Sequence, residues 1–279
     1  MKIDLEGVCD MHIHTSPDIG DRIGDDFEVT RICRDAGMRA IVLKSDFEST
    51  ASRAILTRKI VPGIEIFSSI CLNTPVGGVN PAAVEIALKL GAKVIWLPTK
   101  YSKAHINIKG VPKLKTTVVG ETVFDDIGEL TQSCRQIVSL AKEYDVVIGT
   151  GHLSKEEILA VVKYSREVNY EKIVITHPHF VVPRLNDKEL KELVDMGAWV
   201  EFCAGTVFPN GPARIEQVIS ALNTVGPNKC IVTSDAGRPT KPLPTDTLSV
   251  YLYCLSSKGI KKEWIDLLVR ENPAVLLKI

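Results

Sequence analysis

Residues 64–98 read IEIFSSICLNTPVGGVNPAAVEIALKLGAKVIWLP and contain the repeating unit from which the fold can be inferred. The two ends of this stretch, IEIFSSICL (64–72) and AKVIWLP (92–98), are short apolar runs typical of buried strands. Between them, NPAAVEIALKLG has helical spacing of apolar residues, with Pro81 at the start and Gly91 just past the end. A strand, a helix and a second strand in this order predict a β-α-β unit with parallel strands.

The same alternation continues in both directions along the chain. Eight apolar runs are interpreted as strands, and most follow one another at intervals of roughly 25 to 32 residues. They are VCDMHIH (8–14), RAIVLK (39–44), IEIFSSICL (64–72), AKVIWLP (92–98), DVVIGT (145–150), KIVITH (172–177), AWVEFC (198–203) and KCIVTSD (229–235). Eight units predict a single α/β domain over residues 1–279, a (β/α)8 TIM barrel in which the eighth strand pairs with the first. An open doubly wound sheet is the alternative.

The interval between the fourth and fifth strands is the longest and predicts a small insertion at about residues 99–127. Its basic side chains are Lys100, Lys103, His105, Lys109, Lys113 and Lys115. The strand-like TTVV (116–119) followed by Gly120 indicates a hairpin. In a barrel this loop lies at the carboxyl ends of the strands, where active sites are built. Two interpretations stay open, a lid over the site and a solvated basic loop.

Composition and charge argue against several classes of protein. The 34 basic and 34 acidic side chains cancel, so the chain lacks the basic excess that nucleic-acid binding requires. The seven cysteines form no CxxC pair, which is typical of core residues in a reducing compartment. No apolar run approaches the length of a membrane span, and the acidic amino terminus does not resemble a signal peptide. We therefore expect a cytoplasmic protein with a small-molecule substrate and no nucleic-acid or membrane partner; a homo-oligomer stays open.

Five of the six histidines fall at the carboxyl ends of predicted strands. His12 and His14 end the first strand, His152 follows the fifth, and His177 and His179 end the sixth. Side chains two positions apart on a strand point the same way, so His12 and His14 can reach one point in the barrel. Imidazoles converging in this way suit a metal ion.

One carboxylate lies at the carboxyl end of the eighth strand, the position that the histidines occupy on their own strands. Asp235 ends the run KCIVTSD, and regular alternation along the first predicted strand also places Asp10 on the face of His12 and His14. A carboxylate can bind metal through one oxygen and accept a proton through the other. An HxH pair alone is weak evidence, because any exposed strand can carry two histidines. Convergence of ligand-type residues on strands one, five, six and eight strengthens the metal-site hypothesis.

The ordered set of these residues resembles the metal signature of the amidohydrolase superfamily. The matching positions are DMHIH (10–14), His152, His177 and Asp235. The carboxyl-terminal ENPAVLL (271–277) is also similar to the helix with which many members end. The resemblance implies that His12 and His14 bind a first divalent metal ion, with Asp235 beneath the attacking hydroxide.

The resemblance further implies that His152 and His177 bind a second ion in members that use two. Zn²⁺ is the expected metal, and Mn²⁺, Fe²⁺ or Co²⁺ also suit histidine and aspartate ligands. His179 is an alternative to His177 as ligand, or a proton-donating group beside the metal.

The resemblance also implies a carboxylated lysine or a glutamate on strand four that bridges two ions, and this chain departs from that pattern. Strand four ends LPTK, with Lys100 beyond Pro98. Lys44, which ends AIVLK on strand two, is the preferred substitute over Lys100 and Glu65. Burial at a strand end lowers a lysine pKa and frees the amine to form a carbamate. In the alternative, Lys44 stays an ammonium that pairs with Asp46 or a substrate anion.

Three basic residues are candidates for binding a substrate carboxylate or phosphate. Arg22 lies in the first loop, Lys100 follows the fourth strand and Arg238 follows Asp235. Each arginine is about equally well explained as an ordinary surface residue. Glu201 on strand seven faces either the barrel interior or the helices, and its position in the sequence does not decide between them.

These residues predict a metal-dependent hydrolase in which metal-activated water attacks an amide, ester, lactone or phosphoester bond. Asp235 is the expected general base. The first alternative is a decarboxylase of the same superfamily, with one ion and no bridging lysine. The second alternative is a barrel that binds a ligand without turnover.

Overall fold

The computed structural model describes residues 3–108 and 120–279. Within these ranges, eight parallel strands form one sheet in sequential order. The strands are β1 (Cys9–His14), β2 (Ala40–Lys44), β3 (Glu65–Cys71), β4 (Ala92–Trp96), β5 (Val147–Gly149), β6 (Ile173–Thr176), β7 (Trp199–Cys203) and β8 (Cys230–Thr233). Each apolar run identified in the sequence corresponds to one of these strands.

Helices alternate with the strands, as the α/β prediction requires. They are α1 (Asp26–Asp35), α2 (Ala51–Ile60), α3 (Pro81–Lys89), α4 (Lys103–Ile106), α5 (Gln132–Tyr144), α6 (Lys155–Glu167), α7 (Asp187–Asp195), α8 (Ile215–Val225), α9 (Pro244–Ser257), α10 (Lys262–Asp266) and α11 (Asn272–Leu277). Three of them begin with reciprocal side-chain and backbone hydrogen bonds, at Asp25, Ser154 and Asn186. These capping residues fix where the loops at the strand ends give way to helix.

The first and last strands meet and nearly close the barrel. Ile13 forms a parallel bridge with Ala236, and the backbone N–H of His14 donates to the carbonyl of Ala236 at 2.9 Å. Across the same seam, Oδ1 of the buried Asp10 accepts the backbone N–H of Ser234 at 3.1 Å. The predicted (β/α)8 barrel is confirmed, and the open sheet is not the architecture of this chain.

A bulge in β1 overturns one detail of the expected geometry. The pairing of β1 with β2 shifts register between Asp10 and Ile13. Asp10 uses Oδ1 to accept the backbone N–H groups of His12 and Ser234, both at 3.1 Å. The expectation that Asp10 shares a face with the histidines is therefore wrong, because the bulge breaks the alternation from which it was drawn.

Side chains alternate between the barrel interior and the helix layer. The interior cluster consists of Cys9, Met11, Ala40, Val42, Cys71, Val94, Trp96, Val147, Val174, Trp199 and Ile231, with Leu276 and Leu277 of α11. Lys44 and Glu201 follow Val42 and Trp199 by two positions and therefore share their inner face. Six of the seven cysteines are buried and Cys254 is partly buried, as expected for core residues.

The insertion after β4 is described only in part. It contains the short helix α4, and Ser102 bridges to Glu121. The predicted TTVV strand and Lys109, Lys113 and Lys115 lie outside the described residues, so the hairpin and the lid stay predictions. Among the described residues, no helix combines the length and apolar character needed to cross a membrane.

Candidate metal centre and active site

A cavity of about 310 Å³ opens where the strands end. Five of the predicted metal ligands line it: His14, Lys44, His152, His177 and Asp235. The wall also includes Asp46, Phe180 and the basic residues Arg22, Lys100, Arg238 and Lys241. Its volume is at the lower end of the range for small-molecule sites.

His12 lies beneath this cavity and is oriented by a buried carboxylate. Its Nδ1 is 3.0 Å from Oε1 of Glu201, and both side chains are fully buried. Thr233 donates its hydroxyl to the same Glu201 oxygen at 2.8 Å. A neutral imidazole that donates from Nδ1 leaves the lone pair of Nε2 free. Glu201 therefore presents the Nε2 of His12 as the ligand atom.

Asp235 brings the ligand atoms of β1 and β8 together. Its Oδ1 lies 3.3 Å from Nε2 of His12 and 3.5 Å from Nε2 of His14. The three residues offer ligand atoms that all lie within 4.8 Å of one another. Donors at about 2.0–2.2 Å from a tetrahedral Zn²⁺ are spaced about 3.3–3.6 Å apart. Both distances match edges of such a tetrahedron, so this donor set fits a divalent transition metal.

Burial keeps the histidines in the protonation state that a metal requires. It lowers the pKa of His14 to about 3 and that of His177 to about 4. Burial alone would raise the pKa of Asp235, but His12, His14 and His177 hold it well below its ordinary value. At neutral pH His14 and His177 are therefore neutral imidazoles beside an ionised carboxylate.

His152 and His177 lie on the opposite side of the cluster. The ring centroids of His152 and His177 are 4.9 Å apart, and that of His177 is 6.2 Å from that of His12. Nδ1 of His152 is 2.8 Å from Nδ1 of His105, which lies on α4 in the insertion. Among the described residues, neither His152 nor His177 belongs to a set of three closely spaced donors. The second metal site is thus less completely assembled than the first.

Backbone turns at the strand ends aim these side chains into the cavity. His177 directly follows β6 with φ of 29°, and Asp235 follows β8 with φ of 48°. Left-handed backbone is uncommon for residues other than glycine and tends to occur at functional sites. Both residues leave the sheet at these turns, and both line the cavity.

Lys44 reaches the cluster, but its environment differs from the one expected. Its Nζ lies 3.0 Å from Nε2 of His12 and 3.7 Å from Oδ1 of Asp46. Burial lowers the pKa of Lys44, but Asp46, Cys71 and the other nearby acidic groups outweigh burial and raise it overall. The expected lowering is therefore wrong for this arrangement, which favours the alternative of an ammonium paired with Asp46. Carboxylation of Lys44 stays a prediction.

Of the other two bridging candidates, Lys100 lines the cavity and Glu65 does not. Nζ of Lys100 pairs with Oδ2 of Asp46 at 2.7 Å, and Glu65 is exposed at the amino end of β3. Trp96 lies on the inner face at the end of β4, and its ring is 4.7 Å from that of His12. Asp46 itself is held by the hydroxyl of Thr99 at 3.0 Å.

His179 is not brought to the cavity. Among the described residues, the cavity wall includes His177 but not His179. The His179 ring lies 5.8 Å from the ring of Phe202 instead. β6 ends at Thr176 and the backbone turns at His177, so His179 does not continue the strand that ends beside the cavity. We therefore leave His179 out of the site, as ligand and as catalytic residue.

The sequence leaves the direction of Glu201 open and does not identify His105 or Lys241 as parts of the site. For Glu201 the available signal was its two-residue spacing from Trp199 and Cys203, which are also interior. His105 was noted only as one of several basic residues in the insertion. Nζ of Lys241 donates to the carbonyls of Gly205 at 2.6 Å and Phe208 at 3.2 Å, a contact that joins two loops.

A family model described as "Family of unknown function (DUF6282)" matches residues 7–201. The chain belongs to this family. The matched segment of the DUF6282 chain contains His12, His14, His152 and His177, whereas Asp235 lies beyond it. No curated protein matches the sequence.

Solved structures similar to this DUF6282 chain come from several kinds of protein. An amidohydrolase from Pseudomonas aeruginosa has a TM-score of 0.69 at 14% identity, covering 98% of this chain and 96% of its own. A probable dipeptidase from Pseudomonas aeruginosa has a TM-score of 0.68 at 12% identity, covering 97% and 94%. A 2,6-dihydroxybenzoate decarboxylase has a TM-score of 0.60 at 13% identity, covering 98% and 100%. At these identities the likeness shows the shared fold, which is the fold that the resemblance implied.

Proposed function

We propose that this protein is a metal-dependent hydrolase of the amidohydrolase type. The observation that supports it most strongly is the position of Asp235 Oδ1, at 3.3 and 3.5 Å from the Nε2 atoms of His12 and His14. Three residues from opposite ends of the chain meet there with the spacing of ligands around one cation. Barrel enzymes build their active sites at this end of the strands.

The residues that would hold the first ion are His12, His14 and Asp235. His152 and His177 would hold a second, with Lys44 as a bridging ligand after carboxylation. When bound, the ion supplies Lewis acidity that activates water and polarises a substrate carbonyl or phosphoryl oxygen. Zn²⁺ is the proposed metal, and Mn²⁺, Fe²⁺ and Co²⁺ suit the same donors.

Asp235 is the proposed general base. Its side chain is 28% exposed, in contrast to the fully buried His12, and it lines the cavity. Its low pKa keeps it ionised, and the oxygen opposite the histidine contacts can accept a proton from water. Glu201, although ionised, is fully buried behind His12 and therefore orients that ligand rather than meeting substrate.

The proposed substrate is a small molecule that fits the cavity, with an amide, ester, lactone or phosphoester bond beside Asp235. The fold relatives include a probable dipeptidase and a protein described as an amidohydrolase, which suits hydrolysis of an amide-like bond. A cytoplasmic location is part of the same proposal.

A decarboxylase with one ion is the second candidate. Two observations favour it: Asp46 pairs with Lys44 and raises the pKa of its amine, and the fold is shared with 2,6-dihydroxybenzoate decarboxylase. The number of ions per chain separates the two candidates. Two ions with a carboxylated Lys44 support the hydrolase, and one ion with an unmodified Lys44 favours the decarboxylase.

The Asp235→Asn variant tests the hydrolase proposal. We expect wild-type protein purified without chelators to hold one or two metal ions per chain by elemental mass spectrometry. Against the amide, ester, lactone or phosphoester that wild type hydrolyses fastest, Asp235→Asn lowers kcat by about 10²-fold or more, since the amide cannot accept the proton.

Asp195→Asn, an exposed change at the end of α7, is the matched control and leaves kcat unchanged. The proposal is contradicted if wild-type protein binds no metal even after incubation with Zn²⁺ or Mn²⁺. It is also contradicted if the kcat of Asp235→Asn equals that of the control.

A further inference from the structure

The loops after β1 and β8 meet at the rim of the cavity and bring two arginines together. The backbone N–H of Ile23 donates to the carbonyl of Gly237 at 2.8 Å. Arg22 immediately precedes Ile23 and Arg238 immediately follows Gly237. Both arginines line the cavity that contains Asp235.

This junction is tied to the metal site by a close approach that only glycine allows. Gly237 has φ of 135°, and a Cβ there would lie 2.0 Å from the carbonyl oxygen of His14. The loop carrying Arg238 therefore packs directly on the residue that offers a ligand atom. The backbone of both loops that carry these arginines is therefore held beside His14.

The guanidinium of Arg22 is oriented from behind. Its Nε and Nη2 donate to one oxygen of Asp18 at 2.9 and 2.6 Å, and the Asp18 side chain is only 1% exposed. Among the described residues, no hydrogen bond uses its remaining nitrogen, Nη1. A guanidinium held on one edge and open on another is suited to bind a planar or tetrahedral oxyanion.

The balance of charge around the cavity is positive. Five cationic side chains and two carboxylates line it, and the carboxylate of Asp46 is paired with Lys44 and Lys100. Asp235 contacts the imidazoles of His12 and His14. Arg22 is paired with Asp18, which lies behind the cavity wall, so three carboxylates face five cations and the balance stays positive. Among the described residues, Arg238 and Lys241 form no ion pair.

We infer that the substrate carries an oxyanion, a carboxylate or a phosphate group, which binds between Arg22 and Arg238. With the anion at the rim, the reacting bond points towards Asp235. A substrate of this class rests on the proposed function, whereas binding of an anion at the two arginines does not require it. Lys241 holds the neighbouring loop through Gly205 and Phe208 and adds positive charge.

The test is the affinity of simple anions for the protein as purified. Inorganic phosphate and malonate are titrated separately by calorimetry, with neutral malonamide as the uncharged comparison. We expect Arg238→Gln and Arg22→Gln to weaken binding of the preferred anion by at least about tenfold, as loss of a charge-assisted hydrogen bond implies. The control Arg31→Gln removes an exposed arginine of α1 and leaves affinity unchanged.

Three further measurements separate the outcomes. Arg238 is exposed, so Arg238→Gln is expected to melt at the wild-type temperature even if loss of the Asp18 partner destabilises Arg22→Gln. The preference between malonate and phosphate tells carboxylate from phosphate substrates. Anion binding that survives in chelator-treated protein is binding at the arginines rather than at a metal ion.

The inference is overturned if Arg238→Gln and Arg22→Gln bind both anions as tightly as Arg31→Gln does. It is also overturned if neutral malonamide binds wild-type protein as tightly as malonate does. Metal content of the same variants is measured in parallel. If anion binding at the arginines fails while metal is retained, the inference is overturned and the proposed function stands. If metal is lost while anion binding is retained, the proposed function is overturned and the anion site stands.

Discussion

At the scale of single residues, the carboxylate of Glu201 determines which nitrogen of His12 faces the cavity. The contact of 3.0 Å to Nδ1 is made in a fully buried environment, where an ionised acceptor is strongest. Burial would raise the pKa of Glu201, but His12 lowers it, so the acceptor stays ionised. The ligand His12 and its partner therefore form one functional unit.

Removal of this carboxylate is expected to weaken metal binding. Glu201→Ala should reduce Zn²⁺ affinity by about 10- to 100-fold, because His12 loses the partner that fixes its orientation. Glu201→Gln retains an oxygen acceptor and should recover part of the loss. Competition with a chromophoric chelator measures both, with Glu167→Ala on the exposed face of α6 as control. Equal affinities for Glu201→Ala and the control would rule out the orienting role.

His105 contacts Nδ1 of His152 as Glu201 contacts Nδ1 of His12. For His152 to bind metal through Nε2, its Nδ1 must donate to Nδ1 of His105 across the 2.8 Å contact. His105→Asn retains an acceptor, whereas His105→Phe keeps a ring beside Phe180 and removes the acceptor. We expect the phenylalanine variant to bind less of a second metal equivalent, and the asparagine variant to resemble wild type. Identical metal titrations for the two variants would show that His105 does not orient His152.

At the scale of secondary-structure elements, the seam between β1 and β8 joins the two halves of the metal site. Asp10 accepts two backbone N–H groups there, from His12 and Ser234, and is itself fully buried. The seam therefore places His12 and His14 on one side and Asp235 on the other. Its stability and the geometry of the site depend on the same contacts.

Loss of the Asp10 carboxylate should destabilise the fold. Asp10→Ala leaves two buried backbone donors without an acceptor, at an expected cost of about 2–4 kcal/mol in the free energy of unfolding. Urea denaturation followed by circular dichroism measures it. Asp195→Ala at the exposed end of α7 is the control and should change stability little. A cost below 1 kcal/mol for Asp10→Ala would show that the seam does not depend on this side chain.

Glycine substitutions separate backbone strain from the close approach at the seam. Gly237 and Gly197 both have positive φ, but only at Gly237 would a Cβ contact another atom within 4 Å, the His14 carbonyl oxygen. Gly237→Ala should therefore cost at least about 2 kcal/mol more than Gly197→Ala and also weaken metal binding. Thermal melts and metal titration provide the measurements. Similar losses in the two variants would indicate backbone strain alone.

The strands could be predicted because each is a short apolar run between turn signals, and β8 needed a partner that β1 supplies. The bulge at Asp10 could not be predicted, since it follows from pairing with β2 rather than from local sequence. Regular alternation misplaced Asp10 for this reason. His179 was misplaced for a similar reason, because the chain leaves the extended conformation at His177, where φ is 29°.

At the scale of the whole molecule, a chain with no net charge concentrates its charges unevenly. Positive side chains gather around the cavity although acidic and basic residues balance in the sequence. The candidate ligand residues could be proposed from the sequence because strand ends in a barrel meet at one face. Their partners Glu201 and His105 could not, since these contacts join distant segments of the chain. The pKa of Lys44 was mispredicted for the same reason, because Asp46 outweighs burial only once both are folded together.

The most direct test of the metal centre is an anomalous-scattering map at the zinc edge from crystals grown with Zn²⁺. We predict a peak at about 2.0–2.2 Å from Nε2 of His12, Nε2 of His14 and Oδ1 of Asp235. A map with no peak among these three atoms, or with zinc bound only at surface residues, would contradict the metal centre and with it the proposed hydrolase.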